Sequence, residues 1–230
     1  MTTGIIGALP QETEILLSQM QACQSHVIGP CTFYQGQLNG QDVVLLQSGV
    51  GKTAAAMAAT LLIDQYRPAR ILNTGSAGGF AHYCEVGDIV ISTQVRHHDV
   101  DVTAFGLEMG QGYGFPAAFE SDPKLVELAL EAAKQQNCQA FTGLICTGDS
   151  FMDCPTRVDK ARNDFPEMLA AEMEAAAIAQ VCAQFSVPFV VVRALSDIAG
   201  KASHQSFTAS LATAVKHSSQ LVMDTIKLLN

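Results

Sequence analysis

The segment PFVVVRALSDIAG, residues 188–200, joins the pattern of a buried strand to polar side chains at its end. Its FVVV portion is apolar and β-branched, which is typical of a strand that is covered on both faces. Arg193, Ser196 and Asp197 follow within a few residues. In open α/β sheets, ligands bind outside the carboxyl ends of the strands. The segment therefore predicts a core strand that carries functional groups at its carboxyl end.

The rest of the chain alternates between strand and helix patterns. Strands are predicted in TGIIGAL, CTFYQGQL, DVVLLQSG, ARILNTGSAGG, GDIVISTQV and AFTGLICTGD, and Asn39-Gly40 is a hairpin signal. Helices are predicted in QETEILLSQMQ, GKTAAAMAATLLIDQY, DPKLVELALEAAKQQ with Asp122 as N-cap, residues 156–164, EMEAAAIAQVCAQF and residues 206–229. The predicted fold is a three-layer α/β/α sandwich around a mixed, largely parallel sheet, with residues 1–230 forming a single domain.

Composition and charge exclude several classes of protein. Hydrophobic residues make up 48% and charged residues 15% of 230 residues, as in a globular chain with one sizeable core. The net charge of −9 argues against a nucleic-acid partner. No apolar run reaches the roughly 18 residues of a membrane span, and the N-terminus has no basic region of a signal peptide. We therefore expect a cytoplasmic protein that does not bind membranes.

Signatures of metals and cofactors are weak in this chain. Seven cysteines, at 23, 31, 84, 138, 146, 154 and 182, form no CxxC pair, which predicts free thiols in a reducing compartment. The ligand-rich stretch HHDVD, residues 97–101, is nearly contiguous, and alternate strand residues point to opposite faces. GIIGALP lacks the third glycine and the early G-x-G of a dinucleotide fingerprint. We expect neither a metal nor a cofactor.

Carboxylates and small residues gather at the predicted ends of several strands. Together with Arg193 and Asp197 they predict a site that is rich in carboxylates and poor in cations. They are Glu12 in LPQETE, the turn NTGSAGG, Asp149 and Phe151 in CTGDSF, and Glu172 and Glu174 in AAEMEAAAIA.

Each of these features also has a structural interpretation. Glu12 and Glu14 suit the first turn of any helix, as do Glu172 and Glu174. A carboxylate beside a segment as apolar as MEAAAIAQVCA nevertheless needs a reason to be buried. Asp197 could cap the following turn, and GSAGG could be no more than a tight turn. The residue types alone leave both interpretations open.

Taken in order, these segments resemble the 5′-methylthioadenosine/S-adenosylhomocysteine nucleosidases of the purine nucleoside phosphorylase superfamily. The resemblance extends over nearly the whole chain and is carried by GQLNGQDVVLLQSGVGK, NTGSAGG, VGDIV, HHDVDVTAFG, TGDSF, AEMEAAAIAQVC and PFVVVRALSD. It implies that water cleaves the bond between adenine and a 5′-thio-substituted ribose, without metal or cofactor. The implied role is the removal of by-products of S-adenosylmethionine use, with S-ribosylhomocysteine as a precursor for signal synthesis in some organisms.

The resemblance also implies roles for individual residues. Asp197 would protonate adenine at N7, which requires a raised pKa, and Glu12 would activate the attacking water. Glu174 would bind the ribose 2′- and 3′-hydroxyls, and anionic groups would stabilise an oxocarbenium-like transition state. Arg193 and Ser76 would hold the water and Glu12 in place. Further implied site residues are Leu9, Val50, Ala77, Gly78, Phe151, Met152, Glu172, Met173, Ser196 and Phe207.

The resemblance also implies how adenine and the 5′ substituent of the ribose are recognised. Phe151 would stack on adenine while the backbone of Met152 reads its edge. Val102 and Phe105 would reach the 5′ pocket of the neighbouring subunit, which implies a homodimer. Leu9, Leu107 and the GYGF segment at 112–115 differ from common family forms, so the preference among 5′ tails stays open.

Three alternatives to this function remain at the level of the sequence. A phosphorylase needs cationic or amide ligands for phosphate, but ALPQETE and Asn73 occupy the places where phosphorylases of this superfamily carry arginine. Aminodeoxyfutalosine hydrolysis would use the same catalytic residues. A non-catalytic nucleoside sensor would not need both Glu12 and Asp197. Hydrolysis of adenine thionucleosides is the favoured prediction.

Overall fold

The computed structural model describes residues 1–136, 139–201 and 203–229. The strands are β1 (Thr3–Gly7), β2 (Gln21–Ile28), β3 (Cys31–Leu38), β4 (Gln41–Gln47), β5 (Arg70–Gly79), β6 (Ile89–His97), β7 (Phe119–Glu120), β8 (Ala140–Thr147), β9 (Met168–Glu172) and β10 (Phe189–Ile198). The helices are α1 (Pro10–Gln19), α2 (Lys52–Tyr66), α3 (Pro123–Lys134), α4 (Pro155–Asp164), α5 (Ala175–Phe185) and α6 (Ser203–Lys227), with a 3₁₀ turn at Thr103–Phe105.

One mixed sheet organises the fold, as the sequence predicts. Its strand order is β10-β6-β8-β9-β5-β1-β4-β3-β2, and β7 pairs with β6. β10 also pairs with β5, so strands β5, β9, β8, β6 and β10 close into a ring. β1 lies parallel to β5, and β5 lies parallel to β10, which brings their carboxyl ends to the same edge. This edge is where the sequence predicts a ligand site.

Helices cover both faces of the sheet. Leu16 of α1 and apolar side chains of α3 and α6 form one core, and alanines of α2 and α5 form the other. β10 lies between the two cores. Phe189 and Val191 pack on the side of α2 and α5, and Val190 and Val192 pack on the opposite side. This explains why FVVV is apolar at every position: its side chains alternate between two buried faces.

The Asn39-Gly40 hairpin is confirmed. Both residues have positive φ, 51° and 77°, as a two-residue type I′ connection requires. The turn joins Leu38 of β3 to Gln41 of β4 in antiparallel register. It extends the sheet by two antiparallel strands beyond β4.

Three strands, β2, β7 and β9, are absent from the sequence prediction, and the bounds of β10 and α6 differ from it. β2 is a polar, exposed edge strand, so it lacks a hydrophobic pattern. β9 is five buried residues long and ends at Glu172, which therefore closes a strand rather than opening a helix. β10 continues through Ile198, so Asp197 lies within the strand. α6 begins at Ser203, three residues before the predicted start.

The cysteines and the membrane prediction can be placed on this fold. Cys23, Cys31, Cys84, Cys146, Cys154 and Cys182 are free thiols, and Cys138 lies outside the described residues. Within the described ranges, no helix combines the length and apolar character that crossing a membrane requires.

Candidate active site

A cavity of about 230 Å³ opens at the carboxyl edge of the sheet. It collects side chains from the ends of β1, β5, β9 and β10 and from the starts of α1 and α6. Its lining includes most of the residues implied by the resemblance, together with Ala8 and Ala171, which carry no chemical signal that sequence reasoning could use. The lining residues are Ala8, Leu9, Glu12, Val50, Ser76, Ala77, Gly78, Phe151, Ala171, Glu172, Met173, Glu174, Ser196, Asp197 and Phe207.

Arg193 is fully buried behind the cavity wall. Its Nη2 donates to Glu172 and, at 2.9 Å, to Asn73 Oδ1, and it lies 3.6 Å from Glu174 Oε2. A guanidinium without water needs such partners, because an unpaired buried charge costs several kcal/mol. Its Nη1 donates to the backbone carbonyls of Thr74 and Ser76 at 3.4 and 3.5 Å. In the described part of the chain Arg193 makes no direct hydrogen bond to Glu12, but it links Glu172 and Glu174 to Ser76, which donates to Glu12.

Glu172 has both carboxylate oxygens occupied by the protein. It accepts from Arg193 and Thr147, from the Glu174 N–H at 3.0 Å, and from the Ala175 N–H at 2.9 Å. The last two N–H groups lie at the N-terminus of α5, where the helix dipole favours a negative charge. Glu172 therefore fixes the start of α5 and its neighbour Glu174.

Glu174 is the N-terminal flanking residue of α5 and is buried in the cavity wall. Its Oε1 accepts from the Gly51 N–H at 2.9 Å, whereas Oε2 has only the longer ion pair with Arg193. Burial, reinforced by the negative charge of Glu172, raises the pKa of Glu174 to about 8, against the opposing pull of Arg193. The carboxylate thus retains acceptor capacity that faces the cavity.

Glu12 is held by four donors. Its Oε2 accepts from the backbone N–H groups of Ala8 and Leu9 at 2.8 and 3.0 Å. Its Oε1 accepts from the N–H and the hydroxyl of Ser76 at 3.0 and 3.1 Å. Gly75 makes this approach possible, because a Cβ there would lie 2.7 Å from Glu12 Oε1. The first turn of α1 therefore fixes a carboxylate beside the end of β5.

Asp197 has fewer hydrogen-bond donors around its carboxyl group than Glu12 or Glu172. The Ser196 hydroxyl donates to its Oδ1 at 2.9 Å, and burial raises its pKa. A bulge between Leu195 and Asp197 shifts the register of β10 against β5, which turns the carboxyl group toward Gly78. A carboxyl group in this environment is biased toward its protonated form.

Aromatic rings close one side of the cavity. Phe151 and Phe207 meet edge to face, with centroids 5.7 Å apart. Met152 does not line the cavity, because its side chain packs into a core beneath α4. Val102 and Phe105 also lie outside the cavity, and the Phe105 side chain is 75% exposed, 6.5 Å from the Tyr113 ring.

Comparisons with known proteins agree with this site. The phosphorylase superfamily model matches residues 2–227. A 5′-methylthioadenosine/S-adenosylhomocysteine nucleosidase of Geobacillus sp. (strain WCH70) is 55% identical over 98% of each chain. The chain belongs to this nucleosidase family. Members of this family are N-glycosyl hydrolases, and this protein is one of them. A nucleosidase of Bacillus subtilis (strain 168) is 52% identical over 99% of each chain.

Solved structures of nucleosidases share the same fold. The enzyme of Colwellia psychrerythraea 34H, in complex with adenine, has a TM-score of 0.97 and 52% identity, covering 98% of this chain and 94% of its own. The enzyme of Neisseria meningitidis, in complex with methylthio-immucillin-A, has a TM-score of 0.97 and 43% identity over 99% of each chain. The nucleosidase described here therefore has the α/β architecture of its relatives.

The carboxylates of the HHDVD stretch are bound by protein groups. Among the residues that the structure describes, no three His, Cys, Asp or Glu side chains come together to hold a metal ion. Asp99 forms an ion pair with Lys52, and Asp101 accepts from the N–H and hydroxyl of Thr103. Each carboxylate has a protein partner.

Proposed function

We propose that this nucleosidase hydrolyses the N-glycosidic bond of 5′-methylthioadenosine and S-adenosylhomocysteine, and also of 5′-deoxyadenosine. The products are adenine and the 5′-substituted ribose. The names of the relatives support the first two substrates. The observation that carries the proposal is that Asp197 and Glu12, two carboxyl groups in different environments, line one cavity. Such a pair suits acid and base roles in one reaction.

Asp197 is the proposed general acid. Its raised pKa keeps a proton available, and the proton passes to N7 of adenine as the bond between C1′ and N9 breaks. The bond electrons then leave with a neutral base instead of an anion. Ser196 donates to one carboxyl oxygen, and the Ser203 hydroxyl also interacts with the carboxyl group, so two serines orient it toward the cavity. Phe151 provides an aromatic face against which adenine stacks, and the backbone of Met152 contacts its edge.

Glu12 is the proposed base for the attacking water. Its four donors occupy the capacity of a carboxylate, so water must replace one of them. The Ser76 hydroxyl is the donor that can rotate away without any backbone movement. Water then donates to Glu12, its oxygen bonds to C1′, and its proton passes to the carboxylate. The two backbone donors on Oε2 keep Glu12 oriented during this exchange.

Glu174 is the proposed ligand of the ribose diol. With a pKa of about 8, Glu174 is largely protonated near pH 7 in the free protein. Two adjacent ribose hydroxyls that donate to its oxygens favour the ionised form, whose negative charge stabilises the oxocarbenium-like transition state. Arg193 supports the ionised form and the Gly51 N–H orients it. Leu9, Val50 and Met173 supply apolar walls for the 5′ substituent.

A homodimer is part of the proposal. Val50 lines the cavity yet is 51% exposed, and Phe105 is 75% exposed, so each protomer has apolar surface suited to a partner. We infer that Val102 and Phe105 of one protomer close the 5′ end of the other protomer's cavity. The test is a mixed-dimer experiment described in the Discussion.

Phosphate is a poor nucleophile for this site. Among the described residues that line the cavity there is no lysine or arginine, and the guanidinium behind the wall, Arg193, is already paired with Glu172 and Glu174. Glu12 would repel a phosphate anion. The arrangement therefore favours water over phosphate.

Adenine release from 5′-methylthioadenosine by the purified protein tests the proposed function. The assay is run in phosphate-free buffer and again with added phosphate. We expect release without phosphate, together with free reducing sugar, at a rate that phosphate does not increase. Release that requires phosphate would establish a phosphorylase. No release in either buffer would contradict the proposal and direct the assay to aminodeoxyfutalosine or to binding alone.

A further inference from the structure

Three charged residues from three strand ends close a hydrogen-bonded ring beside the cavity. The Lys52 N–H donates to Asp149 Oδ1 at 2.8 Å, and the Asp149 N–H donates to Asp99 Oδ2 at 2.9 Å. Lys52 Nζ completes the ring at 2.6 Å from Asp99 Oδ1. The Lys52–Asp99–Asp149 ring thus ties the start of α2 to the segments that follow β6 and β8.

The ring adjoins the bond that orients Glu174. The Gly51 N–H donates to Glu174, and the next N–H along the chain, that of Lys52, donates to Asp149. Gly51 has a φ of 96°, and a Cβ there would lie 3.0 Å from Asp149 Oδ1, so the turn fits closely against the ring. The two N–H groups are separated by the backbone of one residue, so a shift of Lys52 strains the Gly51 N–H bond to Glu174.

Two residues that line the cavity are close in sequence to members of the ring. Val50 lines the cavity two residues before Lys52, and Phe151 lines it two residues after Asp149. Lys52, Asp99 and Asp149 themselves are not among the lining residues. They can therefore affect the substrate through the groups they position, and not by contact.

The positive charge of Lys52 balances carboxylates that meet at the start of α2. The N-terminus of α2 receives two carboxylates, Glu174 and Asp149, on adjacent N–H groups, which suits the helix dipole. The Lys52 ammonium adds a positive charge between Asp99 and this pair. The Lys52 and Asp99 side chains are 21% and 29% exposed, so the ion pair is partly shielded from solvent. Although partial burial opposes the shift, the Lys52 ammonium lowers the pKa of Asp99.

We propose that the Lys52–Asp99–Asp149 ring is a positioning device that holds the Gly51 N–H on Glu174 and so keeps the Glu174 carboxylate in place for the ribose diol. The inference rests on the proposed role of Glu174. It assigns Asp99 of the HHDVD stretch to an ion pair that organises the sugar site. The competing explanation is that the ring only stabilises the start of α2.

Substrates with and without the diol separate these explanations. We expect Asp149→Ala to lower kcat/KM for 5′-methylthioadenosine by about tenfold, since it removes an acceptor that fixes the Gly51 turn. The loss for the 3′-deoxy analogue should be about twofold. Asp149→Asn keeps an acceptor oxygen and should restore most of the activity. Equal losses on the two substrates, or no loss, would overturn the proposal.

A matched control shows whether the loss of any partly buried ion pair would have the same effect as the loss of the Lys52–Asp99 pair. Asp99→Ala removes a 2.6 Å pair in which the Asp99 side chain is 29% exposed. Asp164→Ala removes the 2.5 Å Lys160–Asp164 pair on α4, in which the Asp164 side chain is 28% exposed. We expect Asp99→Ala to show the diol-dependent loss and Asp164→Ala to leave both substrates unchanged. An equal effect of the two variants would contradict the proposal.

Hydrogen exchange tests the ring without turnover. In Asp149→Ala, the Gly51 N–H should exchange at least about tenfold faster than in the wild type, because its bond to Glu174 opens more often. In Asp164→Ala it should not change. Unchanged exchange in Asp149→Ala would refute the ring, whereas an inactive wild type would refute only the proposed function. If Asp149→Ala does not fold, Lys52→Met opens the ring at the Lys52–Asp99 ion pair while the Lys52 N–H still donates to Asp149, and Gly51 exchange should again be faster than in the wild type.

Discussion

Asp197 lies opposite Gly78 in the pairing of β10 with β5, where a bulge shifts the register of β10. A Cβ on residue 78 would come within 3.2 Å of Asp197 Oδ2, so the glycine leaves room for the carboxyl group at the cavity wall. Burial raises the pKa of Asp197, and Ser196 holds its other oxygen. These contacts place a carboxyl group with a raised pKa at the edge of the sheet.

Asp197→Asn should abolish most turnover while the fold survives. An amide cannot supply the proton, and loss of a general acid costs about a hundredfold to ten-thousandfold in rate. The Ser196 hydroxyl can still donate to the amide oxygen, so the melting temperature should change little. Steady-state adenine release and thermal unfolding check the two parts. Near-normal turnover would rule out Asp197 as the acid.

Glu12→Gln should reduce both turnover and stability. The amide group would direct N–H donors toward backbone N–H groups that now donate to the carboxylate, and an unsatisfied buried donor costs about 1–3 kcal/mol. Glu14→Gln is the matched control, because Glu14 is exposed on the same helix. Denaturant unfolding and kcat measure the two effects. Equal behaviour of the two variants would contradict the role of Glu12.

The pH dependence of the free energy of unfolding should show the raised pKa of Glu174. Its pKa is raised from 4.5 to about 8 by burial and by Glu172, so between these values the folded state binds more protons than the unfolded state. This contribution to stability is present below pH 4.5 and is lost as the pH rises toward 8. The free energy of unfolding of the wild type should therefore fall relative to Glu174→Gln across this window. A constant difference between the two curves would show that Glu174 does not titrate there.

Mixed dimers should show whether the site is shared. Phe105→Ala and Asp197→Asn are each expected to be impaired, but a dimer of one with the other contains one complete site. After random re-association at equal amounts, activity should recover to about a quarter of the wild-type value. A mixture of Asp197→Asn with Glu12→Gln is the control and should not recover, because both defects disable their own chain's site. No recovery in the first mixture would contradict a shared site.

The sequence predicts which charged and polar residues lie near the site, but it does not predict which of them contact each other. The resemblance implied that Arg193 and Ser76 belong to the network around Glu12, but it did not say which groups connect them. In the structure, Arg193 pairs with Glu172 and Glu174 and donates to the Ser76 carbonyl, and Ser76 donates to Glu12. The strand pattern placed Arg193 near the site but could not choose among carboxylates that come from distant parts of the chain. Strand β9 was missed for a related reason: its four apolar residues before Glu172 fit a strand or a buried helix equally well.

The sequence by itself determined the alternation of strands and helices, the Asn39-Gly40 turn and the collection of acids at strand ends. Local periodicity and turn chemistry act over a few residues, so they can be read without a fold. Only the tertiary structure decided that β10 closes against β5, that Asp197 is buried against Gly78, and that Lys52, Asp99 and Asp149 meet. These relationships depend on burial and on distances between segments far apart in the chain, and folding alone sets those.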